Sequence, residues 1–306
     1  MKKFILKILS FGFLFFISIM IFILFFENNN SIQDHLNNSY TNGYNLTLEK
    51  IKKSKNQKII FVGGSNVGFG LNSERIEKEI GIESFNFGVH GGIGIKKPID
   101  DISLYLNNND LVIFSPEYSN FKLNNFEFER FNTEFIDFTF LSITDFEQLK
   151  AYLTFIKNHS KFLIINYLQS FTSSQNTGYD IHWFNQNGDV IGHHDLENLP
   201  ISNVFKNDPI TEFDLNELKK YIIDNVSDSK WFIIPPVTHI DRFDLNSKVE
   251  LNDKLEMIFG KNYGLSIENL TFNGDCFFDT QYHLNYECKE VRTNLIINFI
   301  LSLNLN

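Results

Sequence analysis

Lys58-Ile59-Ile60-Phe61-Val62-Gly63-Gly64-Ser65-Asn66 decides how the rest of this 306-residue chain reads. A short apolar run rich in branched and aromatic residues predicts a buried strand. The two glycines then allow a tight turn and close approach of neighbouring backbone. The amphipathic stretch Ser73–Ile80 comes next as a helix. The same punctuation recurs along the chain. Ser84-Phe85-Asn86-Phe87 runs into Gly88-Val89-His90-Gly91-Gly92-Ile93-Gly94, Leu111–Phe114 into Ser115-Pro116-Glu117-Tyr118, and Trp231–Ile234 into Pro235-Pro236. Amphipathic runs at Asp145–Asn158, Asp214–Asn225, Val249–Phe259 and Glu287–Leu303 complete the alternation. Strands alternating with helices predict an α/β fold whose mainly parallel sheet is covered on both faces. Functional loops of such sheets gather at the carboxyl ends of the strands. Each of these polar motifs directly succeeds a strand, which places them together.

Outside that core the chain opens with Lys2, Lys3 and Lys7 and then runs apolar from Ile8 to Phe26. A bilayer is crossed by a helix of roughly 20 residues. Lysines on the first side predict a cytoplasmic N-terminus and an exported body. A cleaved signal peptide is the competing reading, but Glu27-Asn28-Asn29-Asn30 offers no small-residue cleavage site. The expected organisation is therefore a cytoplasmic stub and transmembrane anchor at 1–27, a polar linker with at most a short helix at 28–56, and one large domain at 57–306. The formal net charge is −10, and setting aside the three lysines of the anchor leaves −13 for the exported part. So acidic a body repels nucleic acid and anionic head groups, which leaves membrane attachment to the anchor. Cys276 and Cys288 would form a disulfide closing a short loop in an oxidising compartment, or remain two unrelated thiols.

The chemistry-bearing candidates are Ser65 on its glycine turn and His283 in Tyr282-His283-Leu284-Asn285. A serine hydroxyl becomes a nucleophile at neutral pH only with a base beside it, and histidine is the usual one. Against this, Ser65 also suits the cap of the next helix, and His283 a hydrogen-bonded core position. Asp279 lies four residues before His283, a spacing that brings both to one face of a helical turn. It reads equally as a surface carboxylate, with Asp275 as the fallback orienter. His193-His194-Asp195 has metal-ligand residue types, yet adjacent histidines on a strand point to opposite faces, and a polar surface loop is the expectation. Neither glycine cluster is followed by the lysine and hydroxyl residue of a phosphate-binding loop, nor spaced for a dinucleotide. No metal or cofactor is called for.

These blocks, in this order, resemble the SGNH (GDSL-like) hydrolase superfamily, above all its membrane-anchored bacterial members linked to surface-polysaccharide acylation. Gly63-Gly64-Ser65-Asn66 with Gly70-Leu71 resembles the first block, Asn86–Gly92 the second, and Phe278–Asn285 the last; Phe184–Asp189 resembles a segment of the anchored subgroup. The resemblance implies a three-layer, flavodoxin-like sandwich with Ser65 as nucleophile, His283 as base and Asp279 as orienting acid. It also implies an oxyanion hole from the N–H of Gly88 and an asparagine of the third block. Here that block reads Glu117-Tyr118-Ser119-Asn120, so Asn120 is the late candidate, with Gly91 and Gly92 as replacement donors. Thr280 stands where the superfamily has its aspartate. The activity implied is that of an extracytoplasmic serine esterase or O-acyltransferase, acetyl foremost, acting on a surface polysaccharide or acylated sugar. A membrane acyl-donor protein is an implied partner. The alternative is a catalytically weak or inactive subunit for glycan binding or assembly.

Overall fold

The computed structural model describes residues 2–27, 37–123 and 179–304, apart from 202–203, 205–208 and 227, together with positions 157, 161 and 164. The expected amphipathic run at 145–158 lies outside all but one of these. Two compact units divide the chain: Met1–Ser39 with Glu129–Tyr179, and Tyr40–Phe128 with Asp180–Asn306. In the first, α1 (Lys2–Glu27) covers the apolar run. Taken over the described residues, no helix is long and apolar enough to cross a membrane, so the expected span has no support here. α1 nonetheless exposes Phe11, Phe13, Leu14 and Phe15.

The second unit starts at Tyr40, ahead of the expected boundary at residue 57. The reason is α2 (Asn42–Lys53), which buries Tyr44, Thr47, Leu48 and Ile51. Three- and four-residue spacing sets those side chains on one stripe, so a polar composition conceals an amphipathic helix. Tyr44 rests on Phe87 with ring centroids 4.3 Å apart, and its hydroxyl donates to Asp101 at 2.6 Å. In chain order come β1 (Lys58–Gly63), the single turn α3 (Ser65–Gly68), α4 (Ser73–Ile80), β2 (Glu83–Gly88), α5 (Lys96–Ser103) and β3 (Leu111–Ser115). They are succeeded by α6 (Glu212–Val226), β4 (Lys230–Ile233), β5 (Thr238–His239), α7 (Leu245–Phe259), β6 (Thr271–Phe272) and α8 (Tyr286–Ser302).

The central sheet runs β2-β1-β3-β4, all parallel, with β5 and β6 paired separately. Every residue of β1 and β3 is buried, so the middle of the sheet is covered on both faces as the alternation predicts. On one face Ile59, Phe61, Leu111 and Ile113 meet Ile76 of α4 and Ile296, Ile297 and Ile300 of α8. At the amino end of β1, Lys58 Nζ lies 2.7 Å from Asp110 Oδ2 with both side chains fully buried, an ion pair whose alignment falls short of a hydrogen bond. At the carboxyl end the register matters for function. Gly63 stands beside Gly88 on one side and Ser115 on the other. Three strand ends therefore finish in one row, and the loops leaving them share a rim.

Phe184–Asp189 fastens that rim from behind. Asp189 is fully buried and accepts from Ser73 N and Oγ at 2.9 and 2.7 Å and from Asn86 Nδ2 at 2.8 Å. Asn185 Oδ1 accepts from the N–H groups of Asn187 and Asp189, both at 2.9 Å, which folds the turn on itself. Gly188 takes a positive φ of 89°, and a side chain there would run into the backbone of Asn86. The segment thus ties the end of β2 to the start of α4.

Candidate functional site

Ser65 sits where β1 gives way to α3, its position fixed by Phe69 N–H donating to Ser65 O at 2.9 Å. It is almost buried at 9 % exposure. Its turn is braced from below by α8, whose Arg292 donates to Asn66 O at 2.5 Å and to Ser115 Oγ at 2.9 Å. Asn66 Nδ2 in turn donates to Ser115 O and Oγ, each at 3.1 Å. Burial draws the Arg292 guanidinium down to about 9. Nothing in the sequence marks Arg292 out, because its partners lie 177 and 226 residues away.

The last block approaches from the other end of the chain. His283 Nδ1 and Asp279 Oδ1 are 2.7 Å apart. The pair does not share a helix: the residues between them form a turn closed by His283 N–H on Thr280 O at 3.3 Å. That turn absorbs the unusual four-residue spacing. Asp275, the fallback orienter, is exposed, and its backbone carbonyl accepts from the amides of Asn198 and Asn285. Cys276 and Cys288 are joined, with Cα atoms 5.4 Å apart, so a disulfide closes the loop that carries Asp279 and His283. The imidazole lies flat on Phe69, with ring centroids 3.8 Å apart and planes 4° apart. Since Phe69 is one turn beyond Ser65, this stack brings the last block to the serine.

Between them stands Glu117, just past the end of β3 and 8 % exposed. Ser65 Oγ donates to Glu117 Oε1 at 2.9 Å, and the same carboxyl accepts from the backbone N–H groups of Ser65 and Asn66. It is also within electrostatic reach of His283. Burial makes it a weaker acid than an ordinary glutamate, and the serine, the histidine and the two N–H groups only partly offset this. Among the described bonds the hydroxyl of Ser65 goes to Glu117, not to His283 as expected. The glycines explain how the carboxyl fits: a Cβ on either Gly64 or Gly91 would overlap it.

The expected oxyanion donors are placed differently from the expectation. Gly88 N–H donates to Asn86 Oδ1 at 3.2 Å, Gly92 N–H to His90 Nδ1 at 2.9 Å, and Asn120 Nδ2 to Gly91 O at 2.9 Å. These three are committed to holding the loop, and the Cα of Gly91 lies against the carboxyl. The surface-loop expectation for His193-His194 is corrected as well. His193 is 2 % exposed, stands 2.9 Å from Leu284 O through Nε2, and is drawn by burial down to about 3. His194 lies 3.2 Å from Lys289 Nζ and is drawn to about 4, again mainly by burial. Both support the back of the site, with Phe69 between the rings of His193 and His283.

On the far side of Tyr118 a cavity of about 270 Å³ opens, lined by Tyr118, Ile210, Arg242, Phe243 and Lys254. The Arg242 guanidinium lies 4.4 Å from the centre of the Tyr118 ring and donates to Gln281 at 3.0 Å. No family model, curated protein or solved structure matches this chain.

Proposed function

We propose that this chain is a membrane-anchored, extracytoplasmic serine esterase or O-acyltransferase of SGNH type. In that reading the parallel sheet is the middle of a three-layer sandwich and α1 is the anchor. The observation that carries the proposal is the meeting of Ser65, Glu117 and the His283–Asp279 pair at the carboxyl ends of β1 and β3. A hydroxyl on a strand-to-helix turn, with an oriented imidazole brought to it from the end of the chain, is the arrangement acyl transfer requires.

In the reaction, Ser65 Oγ leaves its bond to Glu117 for Nε2 of His283. Oγ attacks the ester carbonyl, its proton passes to Nε2, and the carbonyl electrons move onto oxygen. Asp279 keeps the ring in the tautomer with hydrogen on Nδ1 and stabilises the imidazolium. Collapse expels the alcohol, which takes the proton from His283. Water then releases the acid, or a sugar hydroxyl accepts the acyl group. The substrate class is an acetylated surface glycan or its precursor, with a membrane acyl donor where the outcome is transfer. The aromatic and basic lining beyond Tyr118 suits a sugar ring and its polar substituents.

A second reading has its own observation. With Gly88, Gly92 and Asn120 all bonded within the loop, the same fold serves a non-catalytic glycan-binding or assembly subunit. One experiment separates them. Full-length wild type and Ser65→Ala, purified in mild detergent, are compared for acetate release from an aryl acetate and for fluorophosphonate labelling. Serine-dependent turnover and labelling are expected. Folded wild type that neither turns over nor labels favours the binding subunit, and activity that survives Ser65→Ala sinks the assigned site.

A further inference from the structure

Glu117 stands against the Ser65 hydroxyl in the block where the resemblance calls for an amide donor, and its burial outweighs the three donors aimed at it in favouring a carboxyl over a carboxylate. The group is enclosed by Ser65, the Ser65–Asn66 backbone, Gly64 and Gly91. Among the described residues no lysine or arginine forms an ion pair with it. Arg292 spends its Nη groups on Asn66 O and Ser115 Oγ, and Arg242 is bonded to Gln281. Among the described residues, the ionisable groups in electrostatic reach of it are His283, itself paired with Asp279, and Tyr282. Tyr282 is raised mainly by burial and so stays a neutral phenol that brings no charge to offset the carboxylate. An enclosed carboxylate without a cation is strongly disfavoured against its neutral acid.

We infer that Glu117 is the missing oxyanion donor: its carboxyl, keeping its proton, hydrogen-bonds the oxygen that becomes negative when Ser65 attacks. This rests on the serine reading above. The proton stays on Glu117 throughout, while the proton that travels is the one from Ser65 to His283 to the leaving alcohol. The Ser65 N–H, which donates to Glu117 in the resting site, shifts to the oxyanion as the hydroxyl leaves the carboxyl and supplies the second bond. Burial, which weakens Glu117 as an acid, favours the donor form. Once ionised, the carboxylate repels the oxyanion and the site shuts.

Glutamine preserves an acceptor for Ser65 and supplies an N–H donor that does not titrate, which makes Glu117→Gln the deciding variant. Full-length wild type, Glu117→Gln, Glu117→Ala and Ser65→Ala are compared for aryl acetate kcat/KM across pH. Wild type should give a bell whose alkaline fall marks the ionisation of Glu117. Glu117→Gln should lose the alkaline fall and stay within about tenfold of the wild-type maximum, whereas Glu117→Ala should drop about a hundred- to a thousandfold, the usual cost of an oxyanion donor. An infrared carboxylic-acid band present in wild type and lost in Glu117→Gln reads the proton directly and needs no turnover.

Glu117→Gln as inactive as Glu117→Ala, with Ser65-dependent activity intact in wild type, overturns the donor role alone and points to a carboxylate base. Undiminished Glu117→Ala, or an alkaline fall that persists in Glu117→Gln, also overturns it. Should Glu117→Gln fail to fold, a wild-type rate that climbs to an alkaline plateau overturns it, and a bell supports it. Activity independent of Ser65, or none in folded protein, removes the parent reading and the donor role together.

Discussion

Replacing Cys276 and Cys288 together with serine separates what the disulfide does for the folded chain from what it does for the site. The bond spans 12 positions of sequence. Closing a loop of about 13 residues lowers the entropy of the unfolded chain enough to stabilise the fold by about 3 kcal/mol at 25 °C. In a unit of about two hundred residues each kcal/mol is worth about 2–4 °C, so Tm should fall by about 6–12 °C. The loop has other fastenings in the native state. Phe277 and Leu284 bridge, Phe278 N–H donates to His283 O at 2.8 Å, and Asn285 N–H donates to Cys276 O at 2.9 Å. Asn285 Nδ2 adds a bond to Asp275 O at 2.8 Å. With those bonds intact, the loss should fall on the unfolded state, and the His283–Asp279 pair should survive below the transition. Calorimetry of the full-length chain, with reduced wild type as a control, gives the first half. Fluorophosphonate labelling of Ser65 at 25 °C gives the second, and retained labelling is expected. A Tm change below about 2 °C refutes the loop-entropy reasoning. Lost labelling in a folded variant refutes the claim that the remaining bonds hold the dyad.

Two further outcomes test the support around the site. Asp189→Ala strips partners from Ser73, Asn86 and Asn185 in a fully buried place. With each orphaned donor costing about 1–3 kcal/mol, the denaturation midpoint should show a loss above about 3 kcal/mol, and a near-neutral result counts against the fastening role. His193 should make stability acid-sensitive. It ionises at about 3 in the fold against 6.5 ordinarily, so the unfolded chain takes the proton first as pH falls. Its contribution is complete above that ordinary value and is lost as pH falls toward the folded one. His194, drawn to about 4, acts in the same sense. Urea midpoints should therefore fall between about pH 7 and about pH 5, and His193→Leu should flatten the slope; an unchanged slope places the acid sensitivity elsewhere.

Strands are the legible part of the sequence, for a physical reason. Strands buried on both faces need near-continuous apolar residues, and Ile59–Val62 and Leu111–Phe114 spell that out before glycine or Ser-Pro stops them. The apolar run Trp231–Ile234 falls within a residue of β4 at Lys230–Ile233. The helices α6, α7 and α8 each extend within a few residues of their amphipathic runs. α2 escapes such a reading because the buried side chains of Tyr44, Thr47, Leu48 and Ile51 among asparagines and lysines carry little apolar weight, although their spacing is helical. The disulfide needs a Cα separation, which no spacing supplies. Phe184–Asp189 stands out as a motif, yet its task is to hold β2 to α4. Glu117 reads in the sequence as a carboxylate that cannot donate. Residue type is visible there, but the burial that weakens it as an acid is set by the fold, which brings Gly64 and Gly91 up against it.

On the proposed mechanism the site holds two carboxyls whose tasks are opposite, and their surroundings divide the work. Asp279 keeps 17 % of its side chain exposed and lies against an imidazole, so its charge is solvated and answered. Glu117 is closed in by two glycines and the serine turn, where the Ser65 hydroxyl, His283 and the N–H groups of Asn66 and Ser65 only partly offset its burial. Were both ionised, the oxyanion would form between two negative groups, and the N–H of Ser65 would be spent on Glu117 rather than on substrate. Were both neutral, His283 would lose the partner that fixes its tautomer. One ionised and one neutral is the arrangement in which the imidazole is oriented and the oxyanion receives a proton donor. The row of strand ends at Gly63, Gly88 and Ser115 produces that division: it sets Glu117 inside the rim of the sheet, while the disulfide loop delivers Asp279 from outside it.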